Sequence, residues 1–374
     1  MRYITSKFIF DGKNLLEDKV VVINEQIVEE IISRNSTKSM QVAVEDYGDD
    51  IITSGFIDLQ LNGCGGVLFN NQIDGDTLEV IYQTCLKYGT TSFLPTMITC
   101  DFSDIITSLQ VVKTWFAKHG NMRGVLGIHL EGPFISATKK GIHPEKYIIK
   151  PTQDLLEQIV SHRKYFPIMM TIAVEEFDSN QIKFLIDNNI VLSIGHSNAT
   201  YLQAKAAFDL GVSSATHVFN AMSGLTSRNP GVIGAVLNNP VYNGVIVDNL
   251  HVNTANLEIL YKLKSDHTYL VTDAVTPMGA QGMTQFELAG KTLYIKGDKC
   301  LDENGVLGGA YLSMNQAVAN CVNSGNISLN QALNMASHIP AKVLSLDNKF
   351  GKIAPGFNAN LIALNPTDFT CKII

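Results

Sequence analysis

The sequence predicts an α/β chain: a (β/α)8 TIM-like barrel with a second, small β-sandwich domain built from both termini. Two observations carry this expectation. Short apolar runs alternate with helix-period segments through the middle of the chain, and a β-rich texture stands at both ends.

At the N-terminal end, the runs 20–23 and 27–32 read as strands around the polar turn Asn24-Glu25-Gln26, with no amphipathic helix of useful length nearby. A similar texture returns over 351–364. Residues 1–53 and 349–374 are therefore expected to form one small domain, with a barrel over 54–348 inserted between them. Within the barrel, strands are expected at 56–59, 92–95, 125–128, 168–171, 191–194, 213–216, 244–247 and 269–272. Leu78, Ile81, Tyr82 and Cys85 show the helical phase between the first two. An open doubly wound sheet is the runner-up, weakened because no G-x-G-x-x-G turn follows the first strand.

Composition narrows the function classes. The 374 residues are 45% hydrophobic and 17% charged, enough for a large core, and the net charge is -7 without a Lys/Arg-rich run. Nucleic acid and membrane surfaces are not expected partners. The N-terminus lacks a long apolar segment and no window approaches a membrane span, so a cytoplasmic location is expected. The six cysteines are scattered without C-x-x-C spacing and read as reduced thiols.

Polar residues fall at the C-terminal tips of the expected strands: Asp58 and Gln60 on the first, Glu131 on the third, His196 on the fifth, His217 on the sixth and Asp273 on the eighth. In a barrel those tips converge on the face that carries active sites. Singly, a histidine there reads as a satisfied structural residue and an aspartate as a helix cap. Together, Glu131, His196 and His217 make a two-imidazole, one-carboxylate set with an open fourth position, which suits one divalent metal ion per subunit, with zinc as the expected ion.

The segments GFIDLQLNGCGG, HLEGPF, GHSNAT, ATHVFNAM and LVTDA, with the terminal G-x-I-x-x-G pattern, resemble the N-acetylglucosamine-6-phosphate deacetylase family of the amidohydrolase superfamily, from Gly55 to about Leu364. The resemblance implies hydrolysis of the N-acetyl amide of N-acetylglucosamine 6-phosphate to glucosamine 6-phosphate and acetate, in amino-sugar catabolism. It implies that Gln60 and Asn62 replace the His-x-His of a second metal site, leaving one ion. Asp273 is then the general base and acid, and His143 polarises the acetyl carbonyl. His251, Asn220, Ala221 and Leu307 are expected to contact the substrate, and Arg228 to reach the phosphate from the partner subunit of a homodimer. Three departures from the family pattern stand at Asn249, where glycine is usual, at Gly308, where serine or alanine is usual, and at Asn360, where aspartate is common. Two other readings remain open: another amidohydrolase acting on a cyclic amide or as a deaminase, and an inactive barrel scaffold. The first normally shows the His-x-His and often a lysine at the fourth strand's end, where this chain has Thr171 to Glu175.

Overall fold

The computed structural model describes residues 1–121 and 123–374. Eight parallel strands form one sheet: β1 (Phe56–Leu61), β2 (Thr90–Ile98), β3 (Ile128–Glu131), β4 (Ile168–Ile172), β5 (Val191–Ile194), β6 (Ser214–Ala215), β7 (Tyr242–Val245) and β8 (Thr268–Leu270), paired in chain order. The first and last meet just past their ends. Leu61 bridges Ala274, and the Asp273 amide donates to Gln60 O at 2.9 Å. That closure excludes the open doubly wound sheet.

Strands covered on both faces read as nearly unbroken apolar runs, and every residue of β1 and β2 is buried. The helices between them begin where the sequence supplies a cap. Asp74 accepts from the Thr77 amide ahead of α1 (Gly75–Leu86), and capping boxes at Asp178 and Thr200 open α2 (Ser179–Asp187) and α3 (Tyr201–Leu210).

Three strand expectations are displaced. The third ladder begins where the apolar run 125–128 ends, and before it Val125 makes an isolated bridge to Phe93. The paired parts of β7 and β8 lie two residues and one residue earlier, respectively, than the expected starts, since the buried apolar residues beyond them already belong to the loops. A seven-residue helix, Arg34–Met40, also follows the second N-terminal run.

Both chain ends enter one five-stranded sheet made of Cys371–Ile373, Leu361–Leu364, Ile51–Ser54, Phe8–Phe10 and Leu15–Leu16. A four-stranded sheet covers one face, around Ile4, Val21, Ile23 and Val28. The period of two decides what goes where: Ile9, Ile52 and Leu361 enter this small core, while their neighbours Phe10, Ile51 and Ile362 join the main one.

A three-stranded antiparallel sheet, Gln285–Leu288, Lys291–Lys296 and Lys299–Leu301, follows β8 and was not anticipated from the sequence. Its Phe286, Leu288 and Leu293 pack with Leu68, Ile98 and Ile142. Among these, Ile98, Ile142 and Leu288 also line the cavity at the strand tips.

Candidate active site

Glu131 is the last residue of β3, while His196, His217 and Asp273 lie two or three residues beyond β5, β6 and β8. These last three have φ of 46°, 28° and 50°, a left-handed backbone that costs a non-glycine residue about 1–3 kcal/mol. The turn swings each side chain off its strand toward a common centre.

Glu131 Oε1 lies 3.0 Å from His196 Nε2 and 3.0 Å from His217 Nε2, and the two Nε2 atoms are 3.1 Å apart. His196 Nδ1–H donates to Lys139 O at 2.8 Å, so its Nε2 is bare in the neutral ring and presents a lone pair. Lone-pair atoms crowded this closely need a proton or a cation between them. In tetrahedral zinc sites with arms of about 2.0–2.1 Å the ligand atoms stand about 3.3 Å apart, so the trio fits an ion. Burial works against a charge on Glu131, but hydrogen bonding to His196 and His217 holds its carboxyl well below the usual range. Burial likewise opposes charge on His217, and the Glu131 carboxylate draws its pKa upward overall.

His143 packs its ring 4.3 Å from that of His196, and its ligand atom falls within 4.8 Å of those of Glu131 and His196, an alternative trio. The Thr99 amide donates to His143 Nδ1 at 3.3 Å and the Thr99 hydroxyl lies 2.8 Å from the same nitrogen. The ring proton therefore sits on Nε2, and burial, reinforced by His196, pushes the His143 pKa down to about 3. His143 is thus a neutral N–H donor.

Asp273 is met from β1: Asn62 Nδ2 donates to Oδ1 at 2.6 Å and Gln60 Nε2 to the same atom at 3.3 Å. Burial, then the charge of Glu131, pushes the Asp273 carboxyl up to about 6. His251 Nδ1 lies 2.6 Å from Asp248 Oδ2, and Asp248 Oδ1 accepts from the amides of Leu250 and His251. Asn249 between them has φ 62°, a conformation asparagine tolerates, so the turn expected of glycine is kept.

A cavity of about 370 Å³ is lined by Glu131, His143, His196, His217, Asp273, Asn62, Asn220, Ala221, His251 and Leu307, together with Lys139. A larger groove of about 930 Å³ beside α1 shares no residue with it and, among the described residues, holds no such ligand set, so volume alone does not mark the site. Asn220 N–H is already committed to His217 O at 3.0 Å. Phe219 and Ala221 both have positive φ, the alternating backbone that gathers amide donors for anions. Arg228 does not line the cavity. It is exposed in a separate groove with Asn198, Tyr201, Leu202 and Pro230.

At the Gly308 departure, a Cβ would come within 2.3 Å of Leu293 Cδ2, from the unanticipated sheet. Asn360 O accepts the Gly55 amide at 2.7 Å, tying the five-stranded sheet to the start of β1. His129 is structural: Nδ1 donates to Leu59 O at 2.9 Å and Nε2 lies 2.7 Å from the Thr171 hydroxyl. Glu175, to which the sequence assigns no role, accepts from Ser197 Oγ at 2.6 Å and the Asn198 amide at 2.5 Å, bracing the loop that carries His196. Its position at the tip of β4 was the available signal.

A closed parallel barrel that gathers these ligands at its strand tips defines a hydrolase of the amidohydrolase type, and residues 51–373 match the Amidohydrolase family. The chain belongs to that family. It is 39% identical over 360 residues to N-acetylglucosamine-6-phosphate deacetylase of Haemophilus influenzae, covering 96% of this chain and 93% of the relative. It is 34% identical over 317 residues to N-acetylgalactosamine-6-phosphate deacetylase of a Shewanella species, covering 84% and 79%. The crystal structure of N-acetylglucosamine-6-phosphate deacetylase from Pasteurella multocida superposes with a TM-score of 0.93 at 37% identity, over 99% of this chain and 96% of that one.

Proposed function

We propose that this chain hydrolyses the N-acetyl amide of N-acetylglucosamine 6-phosphate, releasing acetate and glucosamine 6-phosphate. The observation that carries the reading is the lone-pair trio of Glu131, His196 and His217 beside Asp273, in a chain similar over nearly its whole length to such deacetylases.

Glu131, His196 and His217 would hold one divalent ion, which we take to be zinc. When bound, it acidifies water and polarises a carbonyl. Asp273 accepts the proton of the attacking water and returns it to the nitrogen, because an amide cannot expel an amine anion. The neutral His143 donates its Nε2–H to the acetyl oxygen as negative charge gathers there. His251, held by Asp248, and the turn at Asn220 and Ala221 orient the sugar and its phosphate, with Leu307 on the cavity wall.

We further propose that residues 1–53 and 349–374 form one domain around the barrel of 54–348, which their shared sheet supports. We also propose a cytoplasmic location. Among the described residues no helix is long and apolar enough to cross a membrane.

The substrate test offers N-acetylglucosamine 6-phosphate, its galactose-configured epimer and a cyclic amide to the metal-loaded enzyme, and measures amine release. Preference for the glucose configuration is expected. Turnover of the cyclic amide alone, or of none of the three, would overturn the reading.

Arg228 is proposed to act in the partner's site of a homodimer. Its exposure outside its own cavity supports this, as does the flanking apolar surface, where Leu202 and Leu225 are 74% and 58% exposed. Arg228→Ala and Asp273→Asn homodimers should both be weak. Refolded together, about half the dimers are mixed with one whole site each, giving about a quarter of wild-type activity. No recovery in proven heterodimers would rule out the shared site.

A further inference from the structure

The amides at the tip of β1 are built onto the proposed general base. Asn62 Nδ2 and Gln60 Nε2 converge on a single oxygen, Asp273 Oδ1, at 2.6 and 3.3 Å, across 211 and 213 residues of sequence. The main chain reinforces the junction. Asp273 N–H donates to Gln60 O at 2.9 Å, and the Asn62 and Gly63 amides donate to Ala274 O at 3.0 and 3.1 Å. Asn62 and Gln60 are buried at 2% and 1% exposure, so water does not compete for these bonds.

An aspartate turns easily about its last torsion, which is broad and nearly two-fold. Two donors on one oxygen remove that freedom. They fix the carboxylate plane and leave Oδ2 for the cavity that Asp273 and Asn62 both line. The arrangement carries a cost, because Gln60 Oε1 and Asn62 Oδ1 are buried without partners. Packing alone would favour apolar residues there, and two unpaired acceptors are the consequence of turning both amide nitrogens toward Asp273.

We propose that Gln60 and Asn62 are positioning residues, which hold Asp273 Oδ2 toward the attacking water; this rests on the deacetylase reading above. The amides act in place of a second ion's ligands by aiming the base. Misplacing a reacting group by about 1 Å costs roughly 10²-fold in rate, so the expected signature lies in kcat and not in KM.

The test uses Asn62→Leu, similar in shape but without a donor, and Gln60→Met, which keeps length and loses the weaker bond. Asn62→Leu should lower kcat roughly 10- to 10²-fold with KM and ion content unchanged, and Gln60→Met should lower it less. Asn62→His restores an N–H donor and should recover most of the loss. In the Asp273→Asn background, Asn62→Leu should have no further effect, because residues that act as a unit are not additive. If either variant is unfolded by circular dichroism, the other carries the measurement. Wild-type kcat in folded Asn62→Leu, or loss of the ion with activity restored by excess metal, would overturn positioning alone. A wild type inactive on the acetylated sugar phosphates would overturn the deacetylase reading first.

Discussion

Asp273→Asn is expected to lower kcat by roughly 10²–10⁴-fold, the usual worth of a positioned general base, with ion content unchanged. Asparagine matches aspartate in size, but its two ends differ. Asn62 and Gln60 both donate to Oδ1, so an amide at 273 satisfies them only by turning its oxygen their way and its NH₂ into the cavity. The group facing the water then donates and cannot take up a proton. The pH–rate profile separates this from misfolding. With the Asp273 carboxyl pushed up to about 6 by burial and by Glu131, wild-type activity should fall on the acidic side as the base is protonated. A bound cation draws that limb lower. The residual activity of the variant should lack the limb. Retained turnover would exclude Asp273 as the general base, and loss of the ion would make it a ligand.

Glu131→Gln is expected to remove the tightly bound ion and with it activity, by well over the 10- to 100-fold that even outer-shell changes cost. The substitution keeps shape and leaves both imidazoles, so the loss reports the carboxylate charge. Two readouts do not depend on turnover. Elemental analysis should give about one ion per wild-type chain and almost none in Glu131→Gln. Added metal should raise the wild-type Tm, because a ligand of the native state at 100 times its Kd stabilises by about 2.7 kcal/mol, and should leave the variant's Tm unmoved. Two ions at full occupancy in the wild type, with activity following the second, would contradict the assignment of Gln60 and Asn62. A variant that keeps its ion would remove Glu131 from the ligand set.

Much of this candidate site is legible in the sequence. Glu131, His196, His217 and Asp273 stand where an apolar run gives way to a polar residue, and in a parallel barrel that position faces the active side. Buried strands are written as local apolar runs and helix starts as local caps, so the barrel follows from patterns a few residues long. The strand limits were less legible at β3, β7 and β8, because pairing with neighbours decides where a ladder stops and burial continues past it. The antiparallel sheet over 285–301 escaped because its strands sit among exposed polar residues, with Phe286, Leu288, Leu293 and Cys300 buried and Ile295 partly so.

The sequence by itself determined which chemical groups are present and at which strand tips they stand, since both depend on residue identity and local periodicity. Tertiary structure alone decided how those groups are aimed. Closing the barrel brings Asn62 and Asp273 together across 211 residues, commits His196 Nδ1 to Lys139 O and His143 Nδ1 to Thr99, and leaves Arg228 outside the cavity of its own chain. Hydrogen-bond direction and tautomer depend on a partner distant in sequence, and no local period encodes that partner.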